Sequence, residues 1–367
     1  MHPVLPLYSV FLALALLGLR MSRPEDRTMV WLSAWGAMSV VLVAATFREI
    51  KGDTWRYYIV FAQMSDLSFA QMWELTDNNW LFAVTNWLLA QLGTHPLWLF
   101  LPVTLFCIVL TRYSLRQLLG PTSTAVAIIL YSAYPFFVFY IANGIKQGIA
   151  MVLLFQGYVT LYRLGLKRSV VWFLLAPMFH TGATLVFPCI ILHWLFWRSQ
   201  FGYRRALSLS FGIMIICVIL SAIGYNKDAM SFLESYAQFS RSYEVYFMEA
   251  SEFGYKAGFR LDFTIFSLLP FALAAWLRTQ GRGLSYQLSG WWINLYTLLA
   301  CLYHLFSFAP FADRFAGFGW YLIPAILVIM LVDCGSQQAR RKVVAAFAVL
   351  NVLIFQFYTG YSIRVEF

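Results

Sequence analysis

Apolar residues fall in long runs along this chain, and the polar ones gather in short stretches between them. The runs predict membrane-spanning helices at 4–20, 29–47, 96–112, 122–141, 145–162, 169–179, 182–197, 206–224, 263–277, 286–308, 315–333 and 343–358, against the ~20 residues that a helix needs to cross a hydrocarbon core. Two runs are short. Pro177 and the break at His180–Gly182 split what would be one long run, so 169–179 and 182–197 are expected to meet near one membrane face. A further apolar stretch, 79–92, is too short for a span and is expected as a re-entrant or interfacial helix. The pattern therefore predicts an all-α polytopic membrane protein of about 12 transmembrane helices, forming a single integral domain over 1–367.

Composition narrows the function classes. Hydrophobic residues make up 61% of the chain and charged residues 11%, where a soluble domain is about 25% charged. That excludes an ordinary cytosolic enzyme, a disordered regulator and a nucleic-acid binder. The net charge of +10 is spread between apolar runs rather than gathered in one patch. Cys107, Cys189, Cys217 and Cys301 lie inside apolar runs and Cys334 at a run's end. None forms a CxxC, so they read as small buried hydrophobes rather than metal ligands or a redox pair. Residues 1–19 contain no Lys or Arg, so the first run reads as a span and not as a cleaved leader.

The basic residues also set an orientation. Alternate loops at 20–28, 112–121, 163–168, 198–205, 278–285 and 334–342 hold 16 of the 26 basic residues, with only Glu25, Asp26 and the bordering Asp333 as acids. The other face holds 10 basic and 13 acidic residues. The positive-inside rule places the first set in the cytoplasm and both termini outside, in the periplasm of a bacterial inner membrane. The cytoplasmic loops are too short for a nucleotide-binding domain, and no phosphate-binding glycine loop stands in a usable context. Chemistry is expected outside, where the two long polar segments, 48–95 and 225–262, lie.

Four polar clusters need an explanation. The first runs from Arg48 to Tyr58, and in it Asp53 and Tyr57 stand one helical turn apart on a shared face. The second is Asn143-Gly144-Ile145-Lys146-Gln147-Gly148, set between apolar spans with almost no loop. An ionisable side chain at that depth faces a polar cavity or a partner, unless it snorkels to the interface. The amides of a helix starting near Ile145 would add to an anion site there. The third is His180, at a helix break where irregular backbone is tolerated only around a buried or watered cavity. The fourth pairs Arg260 with Asp262, and Asp313 with Arg314, at two external helix starts. Arg gains nothing from a helix N-terminus, but is well suited to bidentate phosphate binding. His193 and His304 lie within spans and read as packing or interhelical hydrogen-bond residues. Tyr236, Tyr243, Tyr246 and Tyr255, in 225–262, are candidates for stacking on sugar, or for one face of a surface amphipathic helix.

Several cations beside one base that titrates near neutral pH suit a phosphorylated lipid whose sugar is being transferred. At this point the chain resembles a known family. Gly52-Asp53-Thr54-Trp55-Arg56-Tyr57 resembles the G-T-D-x-x-Y loop of the EpsG family, with Asp and Thr in swapped order. Asn143-Gly144-Ile145-Lys146-Gln147-Gly148-Ile149-Ala150 resembles its N-G-I-R-Q-G-x-A, with Lys for Arg, and Phe179-His180-Thr181-Gly182-Ala183 resembles its F-H-x-S-A, with Gly182 for Ser. Arg260-Leu261-Asp262-Phe263 and Asp313-Arg314-Phe315 resemble later landmarks, in order.

EpsG proteins are Wzy-type polysaccharide polymerases. The resemblance implies a GT-C-like helical membrane glycosyltransferase acting on an undecaprenyl-diphosphate-linked oligosaccharide; no cofactor is expected, and because no acidic triad with metal geometry is visible, no essential metal either. A growing glycan would leave its lipid diphosphate and join an incoming lipid-linked repeat, in the synthesis of O-antigen, capsule or exopolysaccharide. His180, with Asp53 as second choice, would serve as catalytic base. Arg48, Lys146, Arg260 and Arg314 would bind the diphosphate, and Tyr57, Asn143, Gln147 and Asp313 other parts of the substrate. The lipid bilayer and a chain-length regulator are the remaining expected partners; nucleic acid is not. Competing readings are a lipid-linked oligosaccharide translocase, an O-antigen ligase and a membrane O-acyltransferase. A translocase should show symmetric halves and charges near the midplane of several helices, and the sequence has neither. The orientation is checked by cysteine labelling: a probe applied outside intact cells should modify Ser235→Cys and spare Ser336→Cys, and external labelling at 336 would overturn the topology.

Overall fold

The computed structural model describes residues 27–76, 79–198, 202–231, 257–280 and 284–354, and among these no β-strand forms. The expected first span, 4–20, and most of segment 225–262 with its tyrosines lie outside the described residues. The chain divides into two compact units, Met1–Ala183 with Gln337–Phe367, and Thr184–Ser336. The first holds α1 (Arg27–Thr46), α2 (Asp53–Met64), α3 (Phe69–Leu75), α4 (Trp80–Ala90), α5 (Pro96–Leu118), α6 (Pro121–Ser132), α7 (Pro135–Ala142), α8 (Ile145–Leu164) and α9 (Leu166–Phe179). The second holds α10 (Phe187–Arg198), α11 (Gly202–Ala222), α12 (Asn226–Ala229), α13 (Leu261–Gln280), α14 (Trp291–Phe306), α15 (Ala312–Trp320) and α16 (Ile323–Cys334). α17 (Gln337–Ile354) belongs to the first unit again.

Proline fixes several helix starts in the first unit. Pro96, Pro121 and Pro135 each stand in the first turn, where a missing N–H is no loss. Pro135 also holds its predecessor out of the α region, and Tyr134 is extended, at φ −90° and ψ 114°. The run at 122–141 is therefore two helices, α6 and α7, bent by 69°. α7 spans only ~12 Å at 1.5 Å per residue, and the chain turns at Asn143–Gly144 to enter α8. From Ile145 to Leu161 every residue of α8 except Lys146 is buried, against α9, α5 and α7. Two missing side chains permit this. A Cβ on Gly148 would stand 2.5 Å from the Tyr140 carbonyl oxygen, and one on Gly157 would stand 2.5 Å from the Phe173 ring. The buried Gln156 is satisfied internally: its Oε1 accepts from Ser114 Oγ at 2.8 Å and Gln117 Nε2 at 3.1 Å, and its Nε2 donates to Thr160 at 3.0 Å.

The second unit packs around α14, which lies against α11, α15 and α10. Asn294 ties these elements together. It is 2.7 Å from His193 Nδ1 and donates to the Ala206 carbonyl at 3.0 Å and to Ser210 at 2.7 Å. His193 thus has the interhelical role expected of it. His304 is fully buried against Tyr303, with no partner at either ring nitrogen. The five cysteines are buried thiols, and Cys189, Cys301 and Cys334 donate to backbone carbonyls.

Four helices among the described residues are long and apolar enough to cross a membrane: Pro96–Leu118, Arg204–Ala222, Leu261–Thr279 and Ala312–Cys334. The bent α6–α7 pair makes up to five among the described residues, where the apolar runs predict 12 over the whole chain, one of them, 4–20, outside the described residues. Breaks shorten several of the predicted runs. Besides the kink at Pro135, the run at 286–308 opens with a π-helical turn at Tyr286–Gly290, and 182–197 opens with a 3₁₀ stretch at Thr181–Val186. α4 is an 11-residue apolar helix, as expected of 79–92, and too short to cross. The tight seat of α8 makes a prediction. Gly148→Ala should cost ~1–3 kcal/mol, because the obstructing atom is backbone. Gly212→Ala in α11, where nothing lies within 4 Å, should be neutral or mildly stabilising. Thermal unfolding of the two detergent-solubilised variants checks this contrast.

Candidate functional site

Arg48 follows α1 and turns back on it. Its Nη1 donates to the Ala45 carbonyl, one of the orphan acceptors at a helix C-terminus. The guanidinium lies flat on Phe100 of α5, 3.8 Å from the ring centre. Only 5% of the residue is exposed. Nε and Nη2 have no hydrogen-bond partner. Burial pushes the group down to about 9, with Tyr57 nearby opposing the shift. Arg48 therefore remains a cation at neutral pH, buried and with no ion pair among the described residues. Two unpartnered N–H edges on one planar fork are what a carboxylate or phosphate takes up bidentately.

Tyr57 lies on α2, one turn after Asp53 as the spacing predicted. Asp53 opens that helix, where a negative charge is favourable. Thr54 closes the turn before it, accepting from the Lys51 amide at 2.9 Å and donating to the Lys51 carbonyl at 2.7 Å. Lys51 itself pairs with Glu49 at 2.7 Å. The Tyr57 ring meets Phe82 of α4 edge-on at 5.8 Å. Lys146, in the first turn of α8, brings Nζ to 5.3 Å from the Tyr57 ring centre and 5.6 Å from that of Phe82. A Lys at this end of a helix opposes the dipole, and two aromatic faces offset part of that cost. Gln147 beside it is buried and Asn143 half-buried. Arg48 and Lys146 are thus both brought to Tyr57.

His180 ends α9, its amide donating to the Ala176 carbonyl at 3.0 Å. The next amide, of Thr181, donates at 3.0 Å to Oδ1 of Asn79, the residue that opens α4. Phe82, one turn further along α4, is the ring beside Lys146. A short chain of contacts therefore links the His180 loop to the Lys146–Tyr57 pair. The imidazole folds back over Gly182: a Cβ there would lie 2.7 Å from His180 Nε2. Glycine where the family motif has serine gives the ring its place.

Arg260 and Arg314 belong to the second unit. Arg260 is already engaged. Its Nη2 is 2.5 Å and its Nε 3.2 Å from the Asp262 carboxylate, and its guanidinium lies 3.8 Å from the centre of the Phe263 ring. Arg314 lies 4.6 Å from the Phe311 ring centre. Phe311 has φ 60° and ψ 32°, a left-handed conformation that side chains avoid. Arg260, Asp262 and Asp313 all act electrostatically on the Tyr303 hydroxyl, so this cluster carries acids as well as arginines. Sequence reasoning did not single out Asn79, Phe82 or Phe100. Their signal is present only as an Asn at a helix start and aromatic residues in apolar helices.

The EpsG family model matches residues 30–366 of the chain. No curated protein matches it, and neither does any solved structure.

The buried charge has a measurable consequence. Burial disfavours the charged form of Arg48, so the native state bears the cost of holding that charge out of water. Arg48→Met keeps the contact with Phe100 and removes the charge. Its unfolding temperature in anion-free detergent should equal or exceed the wild-type value, by up to ~4 kcal/mol in stability. A fall of several degrees would show that the guanidinium is compensated.

Proposed function

The chain belongs to the EpsG family, and from that premise we propose that it polymerises a polysaccharide at the periplasmic face of a bacterial inner membrane. Its substrate is an undecaprenyl-diphosphate-linked oligosaccharide repeat. The observation that carries this reading is Arg48: a buried guanidinium with two unpartnered nitrogens, beside an aromatic pair that also holds Lys146. Such a site is incomplete without an anion, and a lipid diphosphate supplies one.

The transfer then runs as follows. Arg48 takes two diphosphate oxygens bidentately and Lys146 adds a second positive charge. The sugar hydroxyl of the incoming repeat attacks the anomeric carbon of the growing glycan. The bond from that carbon to the diphosphate oxygen breaks, and the electron pair leaves on the diphosphate. Neutralising this charge as it develops is the larger part of catalysis. The attacking hydroxyl gives its proton to His180, whose ring occupies the space left by the missing Gly182 side chain, in a loop tied to α4 by the Thr181–Asn79 hydrogen bond. Asp53, at the start of the helix that carries Tyr57, is the second candidate for the base. Tyr57, Asn143 and Gln147 line the same region and contact the substrate. Arg260 would have to exchange Asp262 for a phosphate, so the reading rests on Arg48 and Lys146.

Purified protein given the lipid-linked repeat as sole substrate should produce a ladder of polymer lengths. His180→Ala should lose ~10²–10⁴-fold in rate per folded molecule. His180→Gln should retain binding and fail to restore turnover. Activity of His180→Gln within a few-fold of wild type would transfer the base role to Asp53. A wild-type protein that makes no ladder would exclude a self-sufficient polymerase.

A further inference from the structure

Orphaned polar atoms gather in the first unit where α5 packs against α1 and α4. Thr46 Oγ1, Arg48 Nε and Nη2, Asn86 Oδ1 and Thr104 Oγ1 are buried and have no hydrogen-bond partner. The four residues are each at most 5% exposed. Buried polar atoms in native proteins are as a rule paired, and leaving one unpaired costs its full desolvation. A threonine inside a helix can donate to the carbonyl one turn back, as Thr111 of α5 does to Cys107 at 2.7 Å. Thr104, two turns earlier on the same helix, does not. Glu49, the acid next to Arg48 in the chain, is paired with Lys51 at 2.7 Å instead.

The topology brings these atoms to Phe100. α1 and α5 run antiparallel. Arg112, toward the far end of α5, lies 5.6 and 5.2 Å from the ring centres of Trp31 and Trp35 in the first half of α1. Arg48, just past the last turn of α1, lies 3.8 Å from the Phe100 ring centre at the start of α5. Thr46 ends that last turn. α4 and α5 form a hairpin across the short connection 91–95. Asn86 and Phe100 lie seven residues to either side of Gly93, and Phe82 and Thr104 eleven. The hairpin therefore sets Asn86 level with Phe100, and Thr104 follows Phe100 by one turn on the same face of α5.

Resting on the reading of Arg48 as a diphosphate ligand, we propose that Asn86 and Thr104, together with Thr46, complete the cradle for the diphosphate of the lipid-linked glycan. One guanidinium edge takes up two oxygens, and a diphosphate carries more than two. The hydroxyls of Thr46 and Thr104 rotate to donate, and the Asn86 carboxamide presents Nδ2 by a half-turn of its plane. The four residues include no acid, so the set offers donors without a repelling charge. They are spread over one turn of α5, ~6 Å along its axis. That extent suits two joined phosphates rather than a single small ion.

Thermal unfolding of the full chain in detergent tests this, with undecaprenyl diphosphate as the probe and undecaprenol, the same chain without phosphate, as the comparison. The diphosphate should raise the wild-type unfolding temperature, and undecaprenol should not. Thr104→Val keeps the shape of the side chain and removes the orphaned hydroxyl. In detergent alone it should unfold at or above the wild-type temperature, and it should bind the diphosphate ~10-fold more weakly, the loss of one charge-assisted hydrogen bond. Asn86→Asp sets a carboxylate beside Arg48. It should raise the unfolding temperature in detergent alone and abolish the shift with diphosphate, as an ion pair occupies the guanidinium. Thr111→Val, which removes a hydroxyl already bonded within α5, should keep the wild-type shift. A fall of several degrees in either Thr104→Val or Asn86→Asp would show that the hydroxyl is satisfied or that position 86 lies out of reach of Arg48. That result, or wild-type affinity in both variants, overturns the cradle and leaves the reading of Arg48 standing. A wild-type protein that the diphosphate does not shift overturns both.

Discussion

Helix α8 is buried along nearly its whole length, and the first unit is arranged around that burial. A helix surrounded by protein cannot be amphipathic in the ordinary sense. It needs close neighbours on every side, and each polar group it carries needs an internal partner. Gly157 gives up its side chain to the Phe173 ring and Gly148 to the Tyr140 carbonyl. Gln156 is enclosed by Ser114, Gln117 and Thr160. The exception to burial between Ile145 and Leu161 is Lys146, which lies at the start of the helix over the rings of Tyr57 and Phe82. The demand for burial thus delivers one cation to a fixed place.

The second cation arrives differently. Arg48 is held by the end of α1 and by Phe100, and its positive charge has no ion pair among the described residues. Each cation lies over aromatic rings, Arg48 over Phe100 and Lys146 over Tyr57 and Phe82, and ring faces tolerate positive charge without neutralising it. A carboxylate in that position would have saturated the guanidinium, as Asp262 does for Arg260. The contrast between the two arginines is electrostatic: one is stored in an ion pair, the other is kept available.

Much of this was legible in the sequence, for definite reasons. The spans at 96–112, 206–224, 263–277 and 315–333 are uninterrupted apolar runs, and length with composition suffices to identify them. The break at His180 is announced by Pro177 and Gly182. Asp53 and Tyr57 share a face because helical spacing requires it. What the runs could not reveal is backbone direction. Apolar composition stays constant through the 69° bend at Pro135, since both arms of the bend are buried. The partners of Arg48 and Lys146 were equally hidden. Phe82 and Phe100 differ in no visible way from the other phenylalanines of the chain, and only the packing of α4 and α5 selects them. Asn79 looked like the edge of an apolar stretch, and its work is done on a backbone amide 102 residues away.

On the proposed reading, an arginine completed only by a bound anion would also link ligand binding to the turnover of the protein itself. Ligands that bind the native state stabilise it by mass action, and small changes in stability alter how much protein survives cellular proteases. Empty, the chain bears the cost of the buried Arg48 charge; with the proposed anion bound, it would not. Depletion of the proposed ligand would then shorten the lifetime of the protein and replenishment would extend it. The amount of protein in the membrane would follow the supply of that ligand.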